Sequence, residues 1–311
     1  MTRVSLAAIL MALALGAQTP NRADGDWPFY GHDAGGMRYS PLAQITQQNV
    51  SRLAVAWTFH TGDVAAGGNG IPRSGFEATP LAVDGTLYLT TGFNRVIALD
   101  PETGAQKWSF DPLVDRQGDY GDGLINRGVA TWLDETRAPA AACRRRLFEA
   151  TQDARLIALD AATGSPCADF GQHGQISLRD VGEYRSGWYH MTSPPAVVDG
   201  LVIVGSAIND NARVRMPDGV VRAFDARTGA KRWSWDPMPP DVTAKSGAAN
   251  AWSVMAVDPE RHLVFVPTGS ASPDYYGALR PGDNKWANSI VALRSQTGEF
   301  VWGFQLVHHD L

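Results

Sequence analysis

The chain has 311 residues, enough for one large core or two ordinary domains, with 32 glycines, 19 prolines and 10 tryptophans beside only 19% charged residues. That composition suits many short strands joined by tight turns and argues against a helical bundle. A net charge of −5 and a pI near 5.8, with no run of basic residues, leave no electrostatic footprint for a phosphate backbone, so nucleic acid is not an expected partner.

A basic start, Met1-Thr2-Arg3, precedes an apolar run over residues 4–15 and the small residues Gly16 and Ala17. The pattern reads as a secretory signal over residues 1–17, which makes the product exported or periplasmic. An uncleaved membrane anchor is the alternative, although the run is short of the ~20 residues a span needs. No later stretch is apolar enough to cross a bilayer, which leaves association at a membrane surface open. An oxidising compartment also allows Cys143 and Cys167, the only cysteines, to pair across the hairpin they flank, with two separate thiols as the other reading.

The expected strands then follow in chain order. Ala54-Val55-Ala56-Trp57-Thr58-Phe59 reads as an aromatic-bearing strand with no hairpin of its own before it. Paired apolar runs come next: 86–90 with 96–99, 147–150 with 156–159, 201–204 with 220–224, and 262–266 with 289–293. Each pair closes on a version of Ala-apolar-Asp-x-x-Thr-Gly, whose third positions are Asp100, Asp160, Asp225 and Arg294, spaced 60, 65 and 69 residues apart. That spacing is an internal repeat, longer than a WD40 blade.

In the three copies with aspartate its side chain can accept from downstream amides, and in all four the glycine supplies a positive φ, so a hairpin follows. The return strands carry aromatics: Trp108, Trp233 and Trp302, with only Phe170 near that place in the second copy. Adding a leading strand, as at 78–83 or 192–198, gives about four antiparallel strands per unit. Radial repetition of such units describes an all-β propeller, with about four blades present in residues 18–311.

Several segments resemble the PQQ-dependent (pyrroloquinoline quinone) dehydrogenases, nearest to the quinoprotein glucose dehydrogenases. Trp27-Pro28-Phe29-Tyr30-Gly31, Arg38-Tyr39-Ser40-Pro41-Leu42 and Leu53-Ala54-Val55-Ala56-Trp57 look like that family's opening. The likeness continues through Asn126-Arg127-Gly128-Val129, Thr192-Ser193-Pro194-Pro195, Asp210-Asn211, Asn250-Ala251-Trp252, Pro273-Asp274 and Val307-His308-His309-Asp310-Leu311. The resemblance implies a propeller of eight blades, of which the chain would supply about half. It also implies PQQ and Ca²⁺ near the axis, a sugar or alcohol as substrate, and a quinone or cytochrome as electron acceptor. The family's proton-accepting aspartate is expected just beyond Leu311, so no catalytic residue is assigned within the chain.

Cofactor contacts are expected from Arg127, Asp210, Asn211, Trp252, Ser272 and Asp274, with Asp210 and Asn211 as Ca²⁺ ligands. Arg127 offers a planar fork for PQQ carboxylates or quinone oxygens, or else makes a surface ion pair. Trp252 offers a stacking face, unless it is core. Asp210 and Asn211 carry the oxygen ligands a hard cation takes, though Asn-Asp-Asn is also a turn signal. Ser272 and Asp274 suit a cofactor edge or a turn equally. Gly123 departs from the glucose branch, which carries histidine four residues before the arginine, and this leaves the substrate open.

His308 and His309 are adjacent on an extended segment and point apart, which disfavours a shared metal. Neither a dinucleotide fingerprint nor a nucleophile elbow is present. A non-catalytic scaffold or binding propeller is the rival reading; it would not need Arg127, Asp210, Asn211 and Trp252 together.

Overall fold

The computed structural model describes residues 25–68, 71–182, 184–209, 213–238 and 246–310. The signal reading over residues 1–17 and the expected metal and cofactor contacts Asp210 and Asn211 fall outside the described residues. Strands carry the architecture, with single 3-10 turns at Val50–Arg52 and Gly277–Leu279.

A small hairpin, β1 (Ala66–Gly68) and β2 (Ile71–Arg73), precedes the first four-stranded sheet. That sheet runs β3 (Leu81–Val83), β4 (Thr86–Thr90), β5 (Val96–Leu99), β6 (Gln106–Phe110). The second contains β7 (Ala130–Leu133), β8 (Arg145–Ala150), β9 (Arg155–Asp160) and β10 (Gln175–Ser177). Next come β11 (Tyr189–His190), β12 (Ala196–Val198), β13 (Leu201–Val204), β14 (Ala207–Ile208), β15 (Val221–Asp225) and β16 (Lys231–Trp235). Here β12, β13, β15 and β16 form the third sheet, while β11 and β14 pair as a separate two-stranded sheet. The fourth sheet is β17 (Ala256–Asp258), β18 (Leu263–Pro267), β19 (Ser289–Arg294) and β20 (Phe300–Gln305). Within the four-stranded sheets every strand pairing is antiparallel and follows chain order as a meander, with β14 set aside between β13 and β15 in the third.

Alternation along the strands decides how the sheets stack, because each blade is apolar on both faces. Leu81, Val83, Val96 and Ala98 of the first sheet meet Leu147, Ile157 and Leu159 of the second. On the other side of the second sheet, Phe148, Ala150, Leu156 and Ala158 meet Val202, Val204 and Phe224 of the third. Ile203, Val221 and Ala223 in turn meet Val264, Val266, Val291 and Leu293 of the fourth. Four blades therefore stack face to face around an axis, with the first strands β7, β12 and β17 side by side at the hub.

The repeated turn does what its sequence dictates. The Asp100 carboxylate accepts from the amides of Glu102 (3.1 Å) and Thr103 (2.9 Å), and from the Thr103 hydroxyl (2.9 Å). Asp225 repeats this with Arg227 and Thr228. Gly104 sits at φ +71, and a Cβ there would lie 2.5 Å from the indole of Trp57. The same close approach brings Trp108 onto Gly164 and Trp233 onto Gly298. Each indole N–H also donates to the carbonyl just after the turn's third residue: Trp57 to Pro101 (3.1 Å), Trp108 to Ala161 (3.1 Å), Trp233 to Ser295 (2.7 Å). The aromatic of one return strand thus docks on the turn of the next blade, and Ile176 with Phe170 fills that role against Gly229.

Two expectations differ in detail. The Trp57 segment is extended but pairs into no sheet among the described residues; its indole docks on the first blade's turn instead. In the second blade the return strand is β10, beyond Phe170, whose ring is buried beside Phe148 at 5.6 Å. A disulfide joins Cys143, just before β8, to Cys167, just after β9.

Candidate functional site

At one end of the hub lies a cavity of about 540 Å³ lined by Glu77, Asp122, Ile125, Arg127, Asn250, Trp252 and Asp274, among others. Its floor is built from segments that leave the inner strands. Arg127 precedes β7, and its backbone N–H donates to the Thr192 carbonyl (2.9 Å), tying the second blade to the third. Trp252 precedes β17, and its carbonyl accepts from the hydroxyls of Thr192 (3.2 Å) and Ser193 (2.7 Å). Asn250 is buried and donates its amide to the Ser206 carbonyl at 2.7 Å.

The Arg127 guanidinium lies 5.2 Å from the centre of the Trp252 ring and pairs with Glu77 at 2.8 Å. Its other nitrogen donates to the Thr192 carbonyl at 3.4 Å. Trp252 is 48% exposed, so it is not core: its face is presented to the cavity. The sequence reading thus brings together Arg127, Trp252 and Asp274. Ser272 is placed elsewhere, fully buried, with its carbonyl accepting from the Ser246 hydroxyl.

Glu77 and Asp122 were not singled out in the sequence, because an exposed acid in a loop carries no periodic or motif signal; only Arg127 as partner makes Glu77 stand out. Asp310 also adjoins the cavity, and its carboxylate is held by Ser270 (2.5 Å), Asn288 (2.6 Å) and Arg280 (2.7 Å). His309 instead hydrogen-bonds the Gly282 carbonyl at 2.7 Å. Among the described residues no group of three His, Cys, Asp or Glu side chains is placed to hold a metal ion.

Gly123 has φ +78, and a Cβ there would sit 2.5 Å from the Arg73 carbonyl oxygen. A histidine would not fit this backbone, so the glycine is built into the loop.

The glucose/ethanol/alcohol dehydrogenase β-propeller domain model of the PQQ group matches residues 27–311. The chain belongs to this PQQ dehydrogenase family. Within it, the chain is 37% identical to quinoprotein glucose dehydrogenase A of Acinetobacter calcoaceticus, covering 94% of the chain and 39% of that protein. It is 38% identical to the glycerol dehydrogenase large subunit of Gluconobacter oxydans, covering 94% and 41%. Among solved structures, quinohemoprotein alcohol dehydrogenase from Comamonas testosteroni aligns with a TM-score of 0.73 at 32% identity, covering 92% of the chain and 42% of that one. The chain therefore spans about two fifths of the length of the PQQ dehydrogenases it matches.

Proposed function

We propose that the protein to which this chain belongs is a quinoprotein oxidoreductase that oxidises a sugar or alcohol hydroxyl with PQQ held in the hub cavity. The observation that carries the reading is the Arg127–Trp252 pair, a half-exposed indole face with a guanidinium beside it in a cavity of about 540 Å³. The residues fit the group. A planar tricycle gains contact area on an indole, and its carboxylates gain charge-assisted hydrogen bonds from a guanidinium.

When bound, PQQ supplies a two-electron quinone able to accept hydride from an alcohol carbon. The chain's own side chains orient and hold. Glu77 fixes the Arg127 fork, Thr192 anchors it from behind, and Asn250 locks the Trp252 loop to the Ser206 carbonyl. We propose Asp210 and Asn211 as oxygen ligands for a Ca²⁺ ion, whose charge would balance the acid-rich lining. A quinone or cytochrome is the proposed acceptor, and the periplasm the proposed compartment.

Titration of the purified chain with PQQ and Ca²⁺, read by tryptophan fluorescence, tests the site. Quenching is expected, with affinity falling about 10-fold or more for Arg127→Ala, the scale of one lost charge-assisted pair. Trp252→Ala is expected to lose both affinity and most of the quenching. Equal titrations for parent and both variants would overturn the assignment.

A further inference from the structure

A second cavity, of about 380 Å³, lies in the hub on the other side of Arg127, which lines both. Its walls are the inner strands of three blades, through Val129–Thr131, Pro194–Val197 and Ser253–Val257, and its lower boundary is residues 28–38. That lower segment is joined to both ends of the blade arc. Trp27 exchanges backbone hydrogen bonds with Ala82 of β3 in the first blade (2.6 and 3.1 Å), and the Val257 N–H of β17 in the fourth blade donates to the Ala34 carbonyl (2.9 Å).

Between these anchors the segment is folded on itself rather than slack. Arg38 donates its N–H to the Gly31 carbonyl at 2.8 Å and lays its guanidinium over Tyr30 at 5.2 Å. The His32 ring packs against Trp27 at 4.7 Å. Gly31 and Gly36 touch so closely that a Cβ on Gly31 would lie 2.4 Å from the Gly36 Cα. A segment so fixed, with ends on the first and fourth blades, sets the chord between them.

We infer that residues 27–38 are a tie across the hub that positions the Arg127–Trp252 layer from below. The connection is continuous. Ala34 holds Val257, the Ser253–Val257 wall carries Trp252 at its start, Trp252 accepts from Thr192 and Ser193, and Thr192 holds Arg127. Releasing the tie frees the fourth blade's inner strand, so the indole and the guanidinium lose their fixed spacing without any change in either side chain. The inference deepens the cofactor reading, but only its affinity readout rests on that reading.

Trp27→Pro removes the N–H that bonds Ala82, whereas Trp27→Phe keeps it; Gly31→Val breaks the turn. Hydrogen exchange by mass spectrometry on the full chain is expected to show Val257 and Arg127 amides exchanging about 10-fold faster in Trp27→Pro and Gly31→Val, with mid-strand amides such as Ile203 unchanged. Trp27→Phe should exchange like the parent, and PQQ affinity should fall in the same two variants by a similar factor. Parental exchange at Val257 and Arg127 in both disrupted variants overturns the tie, and so does uniform loss of protection in both, which would make the segment ordinary core. If the parent itself binds no PQQ, the cofactor reading fails and exchange alone decides.

Discussion

At the residue scale, two ionisable side chains, Glu149 and His190, are fully buried with no charged group hydrogen-bonded to them. Glu149 of β8 is fully buried with neither carboxylate oxygen hydrogen-bonded, and burial pushes its carboxyl well above its usual value. His190 of β11 is equally buried, touching Tyr120 edge-on at 5.6 Å, and burial lowers its imidazole to about 4. Burial disfavours the charged form of both, and their effects on stability run in opposite directions with pH. The Glu149 proton is retained on folding and released on unfolding above 4.5, so its contribution fades as pH rises past that value. His190 contributes above 6.5 and loses that contribution as pH falls towards 4, an effect of about 3 kcal/mol. Urea unfolding across this range should show Glu149→Gln gaining on the parent as pH rises, and His190→Leu losing less than the parent as pH falls. Neither residue was legible in the sequence, since burial of a lone acid or imidazole depends on which sheets close over it. Arg127 and Trp252 were legible, because a motif marks them. Their contact was not, because it joins loops 125 residues apart.

At the element scale, most of the blade was readable. The runs at 86–90, 96–99 and 201–204 coincide with β4, β5 and β13, because apolar alternation and Asp-Thr-Gly turns act locally. The inner strand β7 and the displaced β10 were not, since Ala130–Leu133 is short and Gln175–Ser177 is polar; their pairing is set by the neighbouring strands. The docking of each indole on the next turn was hidden for the same reason, being a contact between repeats. It yields a graded expectation. Trp233 is 8% exposed and closes on Gly298, whereas Trp302 is 44% exposed. Trp233→Ala should therefore cost about 3 kcal/mol or more and Trp302→Ala under about 1 kcal/mol in chemical denaturation. Equal costs would refute the docking account.

At the scale of the whole molecule, four stacked blades form a wall around an axis, and function follows from what that axis gathers. Loops from the first three blades bring Glu77, Arg127 and Thr192 to one place, while the fourth brings Trp252 and Asp274. No single blade contains the site, which is why repeat architecture and chemistry were readable separately but their meeting point was not. Among the described residues the outer face of the fourth blade leaves Trp302 and Phe304 exposed, whereas Leu89, Ile97 and Leu99 on that of the first are covered by Trp57 and Phe59. A hub cavity that seats PQQ against the Trp252 ring would bring it within reach of Arg127. A crystal structure of the chain grown with PQQ and Ca²⁺ tests it most directly. Planar density stacked on the Trp252 indole, with a carboxylate or quinone oxygen at hydrogen-bond distance from Arg127, is the predicted result; PQQ bound only on an outer blade face would contradict it.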